Sequence, residues 1–289
     1  MRKYLLVDGM AILFRAYFAT SFTGKIRRTS EGLPVNGVHG FVRYFMNAIE
    51  TYNPTHVICF WDMGSKTFRT EDYKDYKANR PAAPEDLVPQ FDLVKEVVDS
   101  FDVPNIGIVG FEADDCIGTI AKRFSQQGHD VVVVTGDHDM LQLIDDHIHI
   151  AIMKKGLGNY QLYTLDSLYE EKQLTPTQII DVKALMGDTA DNYPGVKGIG
   201  EKTAYKLIQQ YGSIEGLLAH LDELTKPIRT KIEEHIDMLH LSRKLATINC
   251  SSPIEELEDK HCSWCYDEQK VLAQFELLEF GSLAKLIKK

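Results

Sequence analysis

Val109-Gly-Phe-Glu-Ala-Asp-Asp115 places three carboxylates within four positions, directly after a run of apolar residues that is typical of a β-strand. At the first turn of a helix, Glu112, Asp114 and Asp115 would lie near the positive end of the helix dipole, which compensates only a fraction of a charge. Neighbouring carboxylates raise one another's pKa values, and a bound divalent metal keeps all of them ionised. Taken alone, the stretch is explained equally well by a solvated acidic helix N-terminus.

Repetition of this arrangement along the first half of the chain favours the metal site. Four apolar runs end in acidic residues: Tyr4–Val7 before Asp8, Val57–Trp61 before Asp62, Ile106–Val109 before Glu112, Asp114 and Asp115, and Val131–Val134 before Asp137 and Asp139. Interleaved with helical patterns, such runs predict an α/β fold with a mostly parallel sheet that is buried on both faces. Ligands of open sheets bind beyond the carboxyl ends of the strands, so we predict one acidic site there.

The acidic surplus of the chain is concentrated at this predicted site. A further pair, Asp188 and Asp191, follows a helical stretch, and the formal net charge of the 289 residues is −10. The nine acids named so far account for most of that surplus. Metal ions that neutralise them would leave a nearly balanced surface that can carry local basic patches, so net charge does not exclude a nucleic-acid partner.

Cysteine usage and hydropathy limit the class of protein. Five scattered cysteines do not form a disulfide framework, and the sequence shows neither a signal peptide nor an apolar run long enough to span a bilayer. We therefore expect a cytoplasmic protein with no membrane partner. Cys262 and Cys265 form a lone CxxC pair without the second pair of ligands that a structural zinc site needs, which favours packing cysteines.

A basic segment from about 64 to 90 interrupts the α/β pattern. Its cations alternate with tyrosines at helical spacing, at Arg69, Tyr73, Tyr76, Lys77 and Arg80. A solvated charged helix would explain the cations but not the aromatic residues. Cations for phosphates and rings for bases are typical of a surface that binds single-stranded nucleic acid.

The second half of the chain is predicted to be helical. We expect a sheet-containing domain over residues 1–170, with a fifth strand at His149–Met153 on the sheet edge, and a helical subdomain over residues 171–289. Thr175, Pro176 and Gln178 form the start of a helix, as N-cap, first helical position and capping-box partner.

A glycine-rich turn in this helical half is the sharpest short motif. Pro194-Gly-Val-Lys-Gly-Ile-Gly200 precedes a helix that contains Lys202 and Lys206, and Lys197 lies within the turn. Glycines allow a tight turn whose N–H groups point outward at the start of the following helix, which makes a cradle for phosphate. The pattern predicts a helix-hairpin-helix at about 180–208 that grips a DNA backbone without reading bases. A glycine turn with no ligand is the alternative, and the lysines argue against it.

Taken together, these motifs resemble the bacterial 5′–3′ exonuclease and flap endonuclease family, as found in the N-terminal nuclease domain of DNA polymerase I. The resemblance covers essentially the whole chain. It rests on Leu6-Val-Asp8, Phe60-Trp-Asp62, Phe68-Arg69, Tyr76-Lys-Ala-Asn-Arg-Pro81, Glu112-Ala-Asp-Asp115, Thr135-Gly-Asp-His-Asp139 and the stretch from Leu185 to Gly200. Two small departures from the family pattern, Gly37-Val-His-Gly40 and His138, remove no metal ligand.

The resemblance implies a PIN- or resolvase-like sheet with a helical arch and a helix-hairpin-helix of the H3TH type. It implies two metal ions, Mg²⁺ or Mn²⁺. Asp8, Asp62, Glu112 and Asp114 match the first metal site and Asp137, Asp139 and Asp191 the second, with Asp115 and Asp188 acting through water.

Roles in binding DNA also follow from the resemblance. In the arch, Lys77 and Arg80 match residues that steer the scissile phosphate, and Tyr76 matches a stacking partner for a terminal base. The remaining expected DNA contacts are Arg69, Lys74, Gly195, Lys197, Gly198, Gly200, Lys202, Thr203 and Lys206. A potassium ion is implied at the carbonyl groups of Val196 and Ile199.

The function implied is hydrolysis of DNA near a 5′ flap or a 5′ end at a junction, by a monomer that acts with replication and repair proteins. Two other classes stay open. A PIN-type single-strand ribonuclease would share the acids but lack the arch and the hairpin, and a non-catalytic binder of branched DNA would need the hairpin without the complete acid set.

Overall fold

The computed structural model describes residues 2–22, 24–255 and 261–287. Its centre is a six-stranded sheet in the order β3-β2-β1-β4-β5-β6, parallel except for β6. The strands are β1 (Lys3–Asp8), β2 (His56–Phe60), β3 (Asn105–Ile106), β4 (Asp130–Thr135), β5 (Ile148–Met153) and β6 (Tyr160–Tyr163). The predicted α/β class with a mostly parallel sheet is confirmed.

Twelve α-helices lie within the described ranges. They are α1 (Gly9–Ser21), α2 (Asn36–Tyr52), α3 (Phe68–Asp72), α4 (Gln90–Ser100), α5 (Ala113–Gln126), α6 (Leu165–Lys172), α7 (Pro176–Met186), α8 (Glu201–Tyr211), α9 (Ile214–Ala219), α10 (Lys226–Glu234), α11 (Ile236–Ala246) and α12 (Glu268–Leu277). The predicted capping box of Thr175 and Gln178, with Pro176 in the first turn, begins α7. Short 3-10 helices occupy His138–Leu143, Leu221–Glu223 and Gly281–Leu286.

The sheet is buried on both faces because successive side chains of a strand point to opposite sides. On β1, Leu5 and Val7 contribute to a core built with α1, α2 and α4. Tyr4 and Leu6 contribute to the opposite core, which α5 and helices of the second half complete. This two-sided burial explains why the strands read as continuous apolar runs.

Two predicted strands need correction. The run Ile106–Val109 is not a four-residue strand, since β3 ends at Ile106 and Val109 is 76 % exposed. The run at His149–Met153 does form β5, but β5 is an interior strand because the antiparallel β6 covers its outer edge. The hydropathy pattern did not predict β6, because this strand has four residues of which three are partly or fully exposed, too few for a clear alternation of apolar and polar side chains.

The C-terminal end of the chain returns to the sheet. Residues of α12 and the last 3-10 helix, including Val271, Phe275 and Leu283, belong to the core formed by α1, α2 and α4. Helix α12 packs on α4. The predicted helical unit of residues 171–289 is therefore not continuous in space, because its last apolar residues are buried against the first part of the chain.

Cys262 lies beside the sheet as well. Its carbonyl oxygen accepts a hydrogen bond from the backbone N–H of Val57 at 2.8 Å, and Trp264 packs against Phe45 and Phe101. Cys262 is buried and Cys265 is exposed, both as free thiols. The CxxC stretch thus helps to attach the C-terminal segment to β2.

Candidate active site

A cavity of about 1080 Å³ opens at the carboxyl ends of the strands. Eight of the nine predicted metal-binding acids line it: Asp8, Asp62, Glu112, Asp114, Asp137, Asp139, Asp188 and Asp191. They come from the end of β1, from the residues that follow β2 and β4, from the start of α5 and from the loop after α7. The convergence expected for a parallel sheet therefore occurs in the folded chain.

Several of these acids also hold the ends of helices. The Asp8 carboxylate accepts hydrogen bonds from the backbone N–H of Ala11 at 2.9 Å and from the Thr135 hydroxyl at 2.7 Å, which fixes the start of α1. Asp62 accepts from the backbone N–H of Ala113 at 2.8 Å, at the start of α5. Helix N-termini stabilise negative charge, so the backbone orients the carboxylates that line the cavity.

The charges of the acids remain poorly compensated despite these hydrogen bonds. Burial, followed by the neighbouring carboxylates of Asp62 and Asp137, raises the pKa of Asp8 to about 6. Burial and Asp137 likewise raise the pKa of Asp139 to about 7. The pKa of Asp114 is raised well above its usual value by burial, Asp137 and Asp8. A bound cation would offset the repulsion between these neighbouring carboxylates.

Basic side chains of the chain occupy some of the carboxylate oxygens. Lys77 Nζ lies 2.7 Å from Glu112 Oε1, and an Arg80 guanidinium nitrogen lies 2.7 Å from Asp191 Oδ1. Lys183 Nζ lies 2.6 Å from Asp139 Oδ1 and also contacts Asp188 Oδ2. Against the effect of burial, the carboxylates of Glu112 and Asp191 raise the pKa of Lys77.

The donor set fits hard divalent cations, because carboxylate oxygens are the ligands that Mg²⁺ and Mn²⁺ prefer. As the side chains stand, no three Asp, Glu, His or Cys residues in the described part of the chain are arranged to hold one metal ion together. The ammonium and guanidinium groups of Lys77, Arg80 and Lys183 take oxygens that a metal would need. A metal ion bound in the cavity would compete with these three cations for the carboxylate oxygens.

Asp115 differs from the other acids and does not line the cavity. It is completely buried, and both of its oxygens accept hydrogen bonds at 2.8 Å from the guanidinium of Arg69. Arg69 also donates to the carbonyl oxygens of Leu245 and Thr247. The pair joins α3 and α5 to the end of α11, and Arg69 is only 2 % exposed, so it does not present the surface that was predicted to contact DNA.

The basic segment departs from the predicted helical face. Helix α3 ends at Asp72, Tyr73 is extended, and Lys77 has a φ of 55° in a series of turns. Tyr76 is 4 % exposed, and its hydroxyl donates to Glu112 Oε2 at 3.2 Å and Asp191 Oδ2 at 3.0 Å. The segment is therefore helical only over Phe68–Asp72, and the ring of Tyr76 is buried and not exposed for stacking, because the residues that follow α3 pack onto Glu112 and Asp191.

The hairpin between α7 and α8 is built by close approach of the backbone. Gly195 has a φ of 61°, and a Cβ atom there would lie 2.3 Å from the backbone nitrogen of Gly187. The N–H of Val196 donates to the Leu185 carbonyl oxygen at 2.8 Å and closes the turn. Lys197, Gly198, Gly200, Lys202 and Lys206 are exposed on the hairpin and on α8, and Thr203 is half-buried.

Two carbonyl groups of this turn were predicted to bind potassium. The Val196 carbonyl oxygen accepts a hydrogen bond from the N–H of Ile199 at 3.0 Å, while both side chains are buried. The side chains thus anchor the turn in the core and leave Gly198, Gly200 and Lys197 exposed, whereas the predicted DNA contact Gly195 is buried.

Models of known families match nearly the whole chain. The model described as "5′–3′ exonuclease, N-terminal resolvase-like domain" matches residues 3–174, and "5′–3′ exonuclease, C-terminal SAM fold" matches residues 174–268. The chain belongs to the 5′–3′ exonuclease family. It is therefore a nuclease, as the motifs indicated, and its second part has the helical fold of the family.

Individual relatives support this membership. The chain is 54 % identical over 252 residues to a 5′–3′ exonuclease of Bacillus subtilis strain 168, which covers 87 % of this chain and 85 % of that protein. It is 39 % identical over 282 residues to DNA polymerase I of Bacillus caldotenax, which covers 97 % of this chain but 32 % of the polymerase. The chain thus spans about a third of the polymerase's length.

Solved structures of similar fold include phage and archaeal proteins. A bacteriophage T5 protein co-crystallised with metal ions superposes with a TM-score of 0.70 at 24 % identity, covering 96 % of this chain and all of that one. Flap endonuclease-1 from Methanococcus jannaschii gives a TM-score of 0.59 at 16 % identity, covering 99 % and 90 %. These two likenesses establish the fold. None of the described helices is long and apolar enough to cross a membrane.

Lys183 is the main site residue that sequence reasoning missed. It lies on α7, five positions before Asp188, and contacts two of the predicted metal-binding acids, Asp139 and Asp188. The spacing to Asp188 was visible in the sequence, but the contact with Asp139 depends on how α7 packs against the 3-10 helix that follows β4. The apolar wall of the cavity, formed by Met10, Phe14 and Phe91, was also not predicted.

Proposed function

We propose that this nuclease is structure-specific and hydrolyses DNA phosphodiesters near junctions of single strand and duplex, as a 5′–3′ exonuclease and flap endonuclease. The observation that carries the proposal is the convergence of eight carboxylates in one cavity, with the cations Lys77 and Arg80 in the same wall. Clustered carboxylates favour the binding of divalent metal ions, and the adjacent cations favour the binding of a phosphate group.

Divalent metal ions, Mg²⁺ or Mn²⁺, would be held by the acids that line the cavity. Asp8, Asp62, Glu112 and Asp114 would form one site, and Asp137, Asp139 and Asp191 the other, with Asp188 beside it. Two such ions supply an activated water and stabilise the charge on the attacking and leaving oxygens. The hydrogen bonds from Ala11, Thr135 and Ala113 to Asp8 and Asp62 keep these ligands oriented.

Lys77, Arg80 and Tyr76 would act on the substrate strand once they leave the acids. Their present partners are Glu112 and Asp191, both proposed metal ligands. A metal ion held by these acids would weaken the attraction that holds the basic segment inward. Lys77 and Arg80 would then be available to a scissile phosphate, with Lys74 as a more peripheral contact, and Tyr76 to a terminal base.

The hairpin would hold duplex DNA at a distance from the cut. Exposed glycines and lysines at 197–206 present backbone N–H groups and positive charge, which suit phosphates and carry no base readout. A potassium ion on the Val196 and Ile199 carbonyls would add to that charge. We place the protein in the cytoplasm, acting as a monomer with replication and repair proteins.

Cleavage assays on nucleic acids of different structure test the proposal directly. Labelled 5′-flap DNA, nicked duplex, single-stranded DNA and single-stranded RNA are incubated with the protein in Mg²⁺ and in EDTA. We expect metal-dependent cutting of the flap and the nick, with much slower cutting of both single strands. Preference for single-stranded RNA would instead indicate the PIN-type ribonuclease, and tight flap binding without cutting would indicate the non-catalytic binder.

The raised pKa values of Asp8 and Asp139 predict how metal binding depends on pH. Both acids are protonated below about pH 6 to 7 in the folded protein, so a metal must displace their protons there. The rise in melting temperature caused by a fixed Mg²⁺ concentration should therefore be larger at about pH 8 than at about pH 6. An equal rise at both pH values would contradict the assignment of these acids.

Comparing melting temperatures with and without Mg²⁺ at each pH also removes a separate effect of pH on stability. Burial lowers the pKa of His39 to about 4 in the folded protein. When the pH falls below the ordinary pKa of histidine, the unfolded chain takes up a proton on this residue that the folded protein does not, so the free energy of unfolding decreases. His39 lies beside Phe280 and Ser282, away from the cavity. The contribution of His39 to stability is therefore the same with and without metal, and it cancels in the rise in melting temperature that Mg²⁺ causes.

Replacement of Gly198 should impair the hairpin. Gly198 has a φ of 84°, and a Cβ atom would lie 3.0 Å from both Cε and Nζ of Lys231. Gly198→Val should therefore weaken binding to duplex and flap DNA alike, by roughly tenfold, because a β-branched residue is strained at positive φ and displaces its neighbour. Fluorescence anisotropy in EDTA measures this. Unchanged duplex affinity in a folded variant would contradict the role of the hairpin.

A further inference from the structure

Lys231 reaches the hairpin from outside the motif. It lies on α10, and its Nζ donates a hydrogen bond to the carbonyl oxygen of Gly198 at 3.0 Å, across 33 positions of sequence. The contact joins α10 to an exposed part of the turn. No spacing rule in the helix-hairpin-helix pattern includes this residue.

The geometry at Gly198 is adapted to this lysine. The positive φ explains why a glycine stands there, but the missing side chain has a second consequence. The space that a Cβ atom would take is bordered by Cδ, Cε and Nζ of Lys231, at 3.5, 3.0 and 3.0 Å. The carbon stem of the lysine therefore lies over the glycine, and its ammonium is held at the outer side of the turn.

The charge of Lys231 is not neutralised by the chain. Within the described residues, no carboxylate lies within 4 Å of its Nζ, whereas Arg229 on the same helix pairs with Glu233. An ammonium has three donors, and the Gly198 carbonyl takes one. A cation that is fixed by a neutral carbonyl keeps its full attraction for an external anion.

The hairpin that Lys231 contacts carries other exposed lysines, together with the acid Glu201 at the start of α8. Lys197 lies in the turn, Lys202 is in the first turn of α8, and Lys206 follows one turn later, all exposed. The start of α8 adds the positive end of a helix dipole. A phosphate that approaches the glycines of the hairpin meets Lys231 together with these groups.

We propose that Lys231 is a DNA-binding residue, which adds a fixed positive charge to the hairpin and contacts a phosphate of the duplex held there. The proposal rests on the proposed function of the hairpin and assigns part of it to α10. Because its stem is already packed on Gly198, Lys231 loses less conformational freedom on binding than a free surface lysine.

Two variants separate the charge from the contact. Lys231→Gln keeps a side-chain donor near the Gly198 carbonyl but removes the charge, and Lys231→Met removes both. Duplex affinity is measured by anisotropy in EDTA over a range of KCl concentrations. Loss of one phosphate contact should lower the magnitude of the slope of log affinity against log salt by about 1 and weaken binding by roughly three- to tenfold near 0.1 M salt.

We expect both variants to show the reduced slope and Lys231→Arg to restore it. Lys226→Met is the matched control, since Lys226 is an exposed lysine at the start of the same helix, and it should leave the slope unchanged. Weaker binding with an unchanged slope would mean that Lys231 only supports the turn and would overturn the proposal. An equal change for Lys226→Met would overturn it too, since α10 would then be a diffuse basic surface.

The outcome is distinguishable from failure of the proposed function. If the unaltered protein binds duplex DNA with a steep salt dependence and the Lys231 variants match it, only this proposal fails. If the unaltered protein shows no salt-dependent duplex binding, the hairpin itself is not a DNA-binding element.

Discussion

Asp137→Asn should abolish cleavage of 5′-flap DNA while leaving DNA binding intact or tighter. Asp137 lies at the exposed mouth of the cavity and raises the pKa values of Asp8, Asp114 and Asp139, so it is close to acids of both proposed metal sites. An amide removes a negative charge that a metal requires and that DNA does not. We expect the single-turnover rate in Mg²⁺ to fall by roughly 10³-fold or more, because stabilisation of transition-state charge is the largest catalytic term.

The matched control is Asp145→Asn. Asp145 also follows β4 in the chain, but it pairs with Lys122 of α5 and does not line the cavity. This variant should retain the wild-type rate at a temperature where it remains folded. Asp191→Asn should behave like Asp137→Asn. Cleavage by either cavity variant at the wild-type rate in Mg²⁺ would show that the acids do not form the metal site.

Lys77→Ala should separate rate from affinity. Lys77 Nζ lies among the acids, 2.7 Å from Glu112 and 3.9 Å from Asp191, so it is placed to meet a phosphate that reaches the metals. A contact that strengthens as charge develops contributes more to rate than to affinity. We expect single-turnover cleavage to slow by roughly 10²-fold and affinity for the flap to fall only about tenfold.

Lys74 provides the comparison, since it is an exposed lysine three positions earlier and outside the cavity. Lys74→Ala should change rate and affinity only slightly. Rates from quenched single-turnover reactions and dissociation constants from anisotropy in EDTA are needed for both variants. Small, equal effects at the two positions would mean that the basic segment is a diffuse surface and that Lys77 has no part in the chemistry.

Much of the acidic site could be predicted because its position follows from the sheet. Once the apolar runs are parallel strands, their carboxyl ends share one edge, and Asp8, Asp62 and Asp137 must lie there. The hairpin could be predicted as well, because its tight turn needs glycine. A Cβ atom at Gly195 would lie 2.3 Å from the backbone nitrogen of Gly187. In both cases a local rule of backbone geometry determines the result.

Residues whose roles depend on long-range packing could not be predicted in this way. Asp115 looked like its neighbour Asp114, but in the folded chain it lies on the inner side of α5, where Arg69 arrives from α3. The spacing of Arg69 and Tyr76 suggested one helical face. Burial of both side chains against acids outweighed that local preference, and the segment forms turns instead.

The edge of the sheet and the end of the chain were missed for a similar reason. Strand β6 is the edge of the sheet that the described residues form, pairs there with β5, and has little apolar signal of its own. Helix α12 is amphipathic like its helical neighbours in sequence, and nothing local indicates that Phe275 is buried beside α4 rather than α11. Such choices depend on which complementary surface is left uncovered by the rest of the fold.

A magnesium titration of single-turnover flap cleavage tests the central claim most directly, with the product ends identified by mass. The acidic cavity as a divalent-metal hydrolytic site predicts no cleavage in EDTA, a rate that rises with Mg²⁺ to a plateau, and products with a 5′-phosphate and a 3′-hydroxyl near the junction. Cleavage that persists in EDTA, or a flap that is bound tightly yet stays intact in both Mg²⁺ and Mn²⁺, would contradict it.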